Sequence, residues 1–136
     1  MTPLFKKLNL GTHTALVVLN APQSFEPELA ALKGVTVKRA VSGPCAFALA
    51  FVITAAELDA ASRKLAAAAT GDAILWMVYP KGTSKKYQCE FNRDSGWPGL
   101  AAAGFEPVRM VAIDADWSAL RFRRAEYIKT MTRKKK

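Results

Sequence analysis

A chain of 136 residues, half of them apolar, is long enough to form one domain and bury its own core without disulfide or metal staples. Its two cysteines, Cys45 and Cys89, stand far apart and outside any CxxC pair, which excludes a disulfide framework and a zinc-ribbon spacing. The net charge of +9 is uneven: residues 1–80 carry +2 and residues 81–136 carry +7, four of the latter in the closing run Arg133, Lys134, Lys135 and Lys136. Such asymmetry suggests an anionic partner or a basic tail.

The start, Met1–Lys7, lacks the apolar stretch of a signal peptide, and no apolar run approaches the roughly 20 residues that span a bilayer. The expectation is a cytoplasmic protein with reduced thiols and no membrane partner.

Thr14–Leu19 is a short apolar run, rich in β-branched residues and ended by Asn20-Ala21-Pro22. It predicts a strand buried on both faces, as in a parallel sheet. Ser24 is placed to cap a helix over Phe25–Lys33, with Glu26 and Glu28 in the first turn and Gly34 beyond the end. Val35–Arg39 alternates and predicts a half-exposed strand. Cys45–Ile53 is the longest apolar run and predicts a central strand, although its alanines also allow helix. The link between these two is about six residues, whereas a parallel crossover takes about a dozen. Val35–Arg39 is therefore expected either as an antiparallel edge strand or outside the sheet.

Thr54-Ala55-Ala56-Glu57 matches a capping box and opens an alanine-rich helix that stops at Gly71, with Leu58, Ala61, Leu65 and Ala68 inward and Arg63 and Lys64 towards water. Ala73–Tyr79 predicts a buried strand running into the loop Pro80–Lys86. Tyr87–Asn92 is ambiguous. Asp94 or Ser95 is placed to cap a short helix from Gly96 to Ala103, closed by Gly104. Pro107–Ile113 and Trp117–Arg124 predict two strands joined by Asp114-Ala115-Asp116, a hairpin with a bulge near Leu120. The order of elements predicts an α/β fold: a Rossmann-like layered sandwich with a mostly parallel sheet ending in an antiparallel hairpin. Residues 1–125 are expected to be a single domain and 126–136 a basic tail.

In such sheets ligands bind beyond the carboxyl ends of the strands. That edge should hold Asn20-Ala21-Pro22, Thr54, the Pro80–Lys86 loop and Asp114–Asp116. Lys81, Gly82, Thr83 and Ser84 combine a glycine, two hydroxyls and a cation, the chemistry that holds phosphate or carboxylate. The order is not that of a Walker A loop. Asp116, Trp117 and Arg121 form the second candidate group. Arg121 is placed either to reach back to Asp114 or Asp116, or to bind an anion with Lys81. Asn-Ala-Pro after the first strand, in place of a glycine-rich turn, argues against an ordinary dinucleotide or S-adenosylmethionine pocket, and no cofactor is expected. One histidine, His13, makes histidine catalysis and histidine-rich metal sites unexpected.

The stretch Trp76–Gly82, the alanine-rich helix ending in Gly104, and Asp116-Trp117-Ser118-Ala119-Leu120-Arg121-Phe122 together resemble the bacterial family of domain of unknown function 3052, over roughly Phe47 to Arg124. The resemblance implies a bacterial source and brings no catalytic residues. The chain departs from it by a longer segment from Lys85 to Asp94 and by the basic tail.

The leading expectation is a non-catalytic domain binding an anionic ligand at the Pro80–Lys86 edge. One alternative is a small enzyme acting on a phosphorylated or carboxylated metabolite, with Asp114 or Asp116 as base. Another is a nucleic-acid or protein interaction module using Arg123, Arg124 and the tail.

Overall fold

The computed structural model describes residues 3–85, 87–89 and 97–128. Six strands form one mixed sheet: β1 (Ala15–Leu19), β2 (Thr36–Lys38), β3 (Cys45–Phe51), β4 (Ala69–Pro80), β5 (Phe105–Ala112) and β6 (Trp117–Arg124), in the order β2-β1-β3-β4-β6-β5. The first four run parallel, and β6 enters antiparallel between β4 and β5. The α/β expectation and the terminal hairpin hold.

Alternation along β3 sorts side chains by size. Phe47, Leu49 and Phe51 join one core with Trp76, Val78 and Trp117, whereas Ala48, Ala50 and Val52 join the other. The alanine side receives the long helix α3 (Ala55–Ala68), which buries Leu58, Ala61, Ser62 and Leu65. Among the described residues, the aromatic side is covered by two short helices, α1 (Pro3–Lys7) and α2 (Glu26–Ala30), and bulky rings fill the space a longer helix would take. A fourth helix, α4 (Pro98–Ala102), lies against α3: a Cβ added at Gly99 would stand 2.9 Å from that of Ser62.

The capping box forms as its residues predict, with Glu57 N–H donating to Thr54 Oγ1 and Thr54 N–H to Glu57 Oε1. The helix expected over Phe25–Lys33 is shorter. A single 3-10 turn, Gln23–Phe25, precedes α2, and no side chain, Ser24 included, caps either. The bulge lies not at Leu120 but on β5, where the register with β6 shifts between Pro107 and Arg109. The proposed caps Asp94 and Ser95 and most of Tyr87–Asn92 lie outside the described residues.

The link between β2 and β3 corrects the topology. β2 is an edge strand, but it pairs parallel to β1, with Lys38 level with Val17, while β3 pairs Val17 with Ala48. Cys45 therefore begins about three residue levels below Lys38 and two strands across, a gap of about 14 Å. Seven steps of extended chain reach about 23 Å. The link closes without a helix because β2 is only three residues long. It passes over the α3 side of the sheet, where Val41 and Pro44 lie beside Lys64 and Ala68.

Candidate functional site

The Pro80–Lys86 loop and the Asp114–Asp116 turn do meet, as a mutual brace. Lys81 N–H donates to the Asp116 carbonyl at 2.7 Å, and Ser84 Oγ donates to Asp116 Oδ1 at 2.9 Å. Ser84 Oγ also accepts from Tyr87 N–H, and Asp114 Oδ1 accepts from the N–H groups of Asp116 and Trp117. Both carboxylates and the Ser84 hydroxyl thus shape backbone. Gly82 and Thr83 are exposed at the tip of the turn. Trp117 is buried against Phe51 and Tyr87, with ring centroids 5.2 and 4.8 Å away.

Arg121 does not reach this edge. Trp117 pairs with Pro80 at the strand end, and Arg121 pairs with Trp76, four residues down β4, roughly 13 Å from the loop. The expected partnership of Lys81 and Arg121 is thereby corrected by register, as is the reach of Arg121 back to Asp114 or Asp116. His13 packs beside Phe47 at the opposite, amino end of the strands. Cys45 is buried, its thiol pKa raised by burial, and donates to the Phe47 carbonyl; Cys89 is half-buried, and the two are not joined in a disulfide.

A cleft lies elsewhere on the same edge. It spans about 570 Å³ between the ends of β1 and β2 and the first three turns of α3. Its floor is Leu19 and Asn20, one wall is Arg39, Ala40 and Val41, and the other is Glu57, Ala60, Ala61 and Lys64. This is where the chain changes direction, β1 leading leftwards to β2 and β3 returning to its right. In open α/β sheets that switch point is where ligands settle. Asn20 takes a left-handed conformation, φ 59°, which turns the chain sharply off β1 and leaves the floor open.

Two cations flank the cleft. The Arg39 guanidinium is clasped end-on by the Glu26 carboxylate, at 2.7 and 2.8 Å. That contact raises the Arg39 pKa and lowers that of Glu26. Of its five N–H donors, three remain for another acceptor. Lys64 stands two turns along α3 from Glu57, whose Oε1 accepts from Ile53 and Thr54 N–H and is thus held at the cleft mouth. Sequence reasoning read Lys64 as a solvated face and Arg39 as a strand end. Their meeting depends on the helix-free link, which has no motif.

Comparison with known proteins places the fold. No protein-family model matches the chain, and no curated protein matches it. Among solved structures, a possible exported protein from Bordetella parapertussis aligns at TM-score 0.60 with 11% identity, over 89% of this chain and 65% of that one. Magnesium protoporphyrin IX methyltransferase from Synechocystis PCC 6803 with bound SAH aligns at 0.56 with 14% identity, over 89% and 78%. The [4+2]-cyclase SpnF aligns at 0.53 with 11% identity, over 89% and 78%. Others are methyltransferases or hold SAM or SAH. The chain spans less than two thirds of the length of the first several of these structures. These neighbours overturn the expectation of a non-catalytic anion-binding domain: the fold is methyltransferase-like. The nucleic-acid alternative also gains no support. Arg123 is paired with Asp72 and Arg124 with backbone carbonyls, and the tail lies outside the described residues. Among the described residues, no helix is long and apolar enough to cross a membrane.

Several of these neighbours hold SAM or SAH, a nucleotide whose carboxylate needs closely approaching N–H groups and whose ribose diol needs an acceptor. After β1 stand Asn20, Ala21 and Pro22, each with a Cβ and the last without an N–H. β2 ends in Lys38 and is followed by Arg39, and both side chains are donors only. The residues present do not fit that group in the manner of a glycine-rich nucleotide fold.

Proposed function

We propose that the chain is a small enzyme of methyltransferase-like fold acting on a phosphorylated or carboxylated small molecule bound in the switch-point cleft. The observation that carries this reading is the juxtaposition of Arg39 and Lys64 on opposite walls of a cleft of metabolite size. In it Arg39 and Lys64 hold the anion, the alanines and Leu19 pack its carbon skeleton, and Glu57 is the carboxylate placed to exchange a proton. Among the described residues that line the cleft, Glu57 and Lys64 are the groups able to exchange a proton. The cyclase among the structural neighbours is consistent with a use of this fold other than methyl transfer.

The same reading keeps the chain with the family of domain of unknown function 3052. The two motifs that carry that resemblance lie on adjacent strands and brace each other through Lys81 and Asp116.

The test is calorimetric titration with phosphorylated and carboxylated metabolites, S-adenosylmethionine and SAH, followed by NMR of the binding ligands for turnover. A charge-assisted hydrogen bond contributes about 1.5–3 kcal/mol, so Lys64→Ala should weaken the true ligand roughly 10- to 100-fold. Arg39→Ala should also weaken it without unfolding, because its pair with Glu26 is at the surface. Tight binding of S-adenosylmethionine alone, or binding indifferent to both variants, would overturn the proposal; binding without turnover would remove the enzyme.

A further inference from the structure

Four arginines crowd the β5–β6 hairpin, and the fold employs two of them. Arg124 donates to the carbonyls of Ala69 and Gly71 and lies over the Phe105 ring, fastening the start of β4. Arg123 grips Asp72 through two hydrogen bonds of 2.8 and 2.6 Å. The other two, Arg109 and Arg121, stand directly opposite each other across the antiparallel pair. Neither makes a hydrogen bond or ion pair with a described residue. Like charges so placed repel, and nothing in the pairing of the strands requires them.

Arg121 is the more telling of the two. It is half-buried, pairs with the wholly buried Trp76 on its other side, and has its Nε closed off from solvent with no acceptor. Burial, then the charges of Arg123 and Arg109, depress its pKa, with Asp72 opposing. Among the described residues, the carboxylates on neighbouring strand positions are Asp72, already taken by Arg123, and Glu106, which stands opposite Arg123 rather than Arg121. A desolvated guanidinium N–H between two further guanidinium groups is an arrangement an oxyanion completes. Arg109, Arg121 and Arg123 all lie on the aromatic side of the sheet, in the rows of Trp117 and Val111, whereas the switch-point cleft opens on the α3 side.

We propose that Arg109 and Arg121 form a second oxyanion site, independent of the cleft, that takes the phosphate or carboxylate group of a small ligand. The anion accepts from the outer N–H groups of the half-buried Arg121 guanidinium, beside the enclosed Nε–H, and from the exposed Arg109 fork, while Arg123, fixed by Asp72, supplies a third positive charge without moving. Planar guanidinium forks suit such oxygen pairs better than lysines would.

The experiment is ¹H–¹⁵N NMR of the full chain, following arginine Nε–H signals during titration with inorganic phosphate and, separately, acetate, in about 150 mM salt, where long-range attraction is screened. The expected result is a saturable shift of the Arg121 Nε–H signal, weakened roughly tenfold or more in Arg109→Gln and unchanged in Lys64→Ala. The stronger of the two titrants identifies the group. Arg109 is exposed, so its variant keeps the fold should Arg121→Gln fail to. No saturable shift with either anion, a shift indifferent to Arg109→Gln, or a shift lost in Lys64→Ala would overturn the proposal. So would response only to a single-stranded oligonucleotide that disappears at the same salt, which would reduce the cluster to general polyanion attraction.

Discussion

Trp76 is wholly buried yet carries a polar N–H, and the chain meets it with the Leu8 carbonyl at 3.0 Å. Trp76→Phe removes the donor and part of the ring volume, leaving that carbonyl unpaired. Urea melts should show a loss of about 1–3 kcal/mol. Asp72 gives a pH signature instead. Its hydrogen bonds to Arg123 hold the folded-state pKa below the ordinary carboxylate value. The stabilisation is therefore complete above about pH 4, the unfolded value, and disappears as pH falls through the lower folded value. Wild type should exceed Asp72→Asn in stability at pH 7, and the difference should shrink progressively below pH 4 in parallel melts. At this scale the sequence was least transparent. Lys81 and Arg121 are both cations near the same two motifs, and only strand register reveals that they lie some four residues apart along the sheet. The individual chemistry of Asp114, Asp116 and Ser84 was legible as polar turn residues; their use as backbone acceptors and braces was not.

Helix α3 is the element on which the cleft depends, since it supplies one whole wall. Its start is fixed by the reciprocal Thr54–Glu57 box, and Glu57 is at once a cap and a cleft residue. Thr54→Ala should lower stability by about 1 kcal/mol, a drop of several degrees in Tm for a domain of this size, readable by calorimetry. Because the cap also orients Glu57, the same variant should reduce turnover of any cleft ligand more than it reduces affinity. The start and inward face of this element were legible from the T-x-x-E box and the alanine periodicity; its end was expected at Gly71, whereas the chain turns extended at Ala69 and Gly71 lies within β4. α1 and α2 were not legible. Each has five residues, too few for a periodic pattern to emerge, and they owe their existence to packing Phe5 and Leu29 onto the aromatic side of the sheet.

At the scale of the molecule, the layered α/β architecture follows from alternating buried strands and amphipathic segments, and it was readable without coordinates. The place of β6 between β4 and β5 was not readable, whereas the parallel strands and the closing hairpin were, except at β2. There a sound rule about crossover length met a strand too short to need it. The cleft was invisible for the same reason: Arg39 and Lys64 are 25 positions apart and share an edge only once that link has been traced. The positive charge of the second half was legible as a total but not as an arrangement. Arg124 and Arg123 are spent on the fold, and the remaining pair faces away from the edge where such sheets hold their ligands.

The helix-free link has a mechanical consequence. The wall formed by Arg39, Ala40 and Val41 is anchored to β2 at one end and to the central strand β3 a few residues later, so its excursion is bounded by the roughly 9 Å by which the extended link exceeds the gap. A wall so tethered keeps Arg39 within reach of α3, and the widest spacing of the two cations is set by chain length. Inserting two glycines after Ser42 would slacken the tether at little cost to stability, since doubling a flexible loop costs only about 0.6 kcal/mol. Amide exchange at Val37–Val41 should then quicken and the cleft ligand bind more weakly, while the melting transition scarcely moves. A variant that exchanged no faster would show the wall to be held by its contacts with α3 instead.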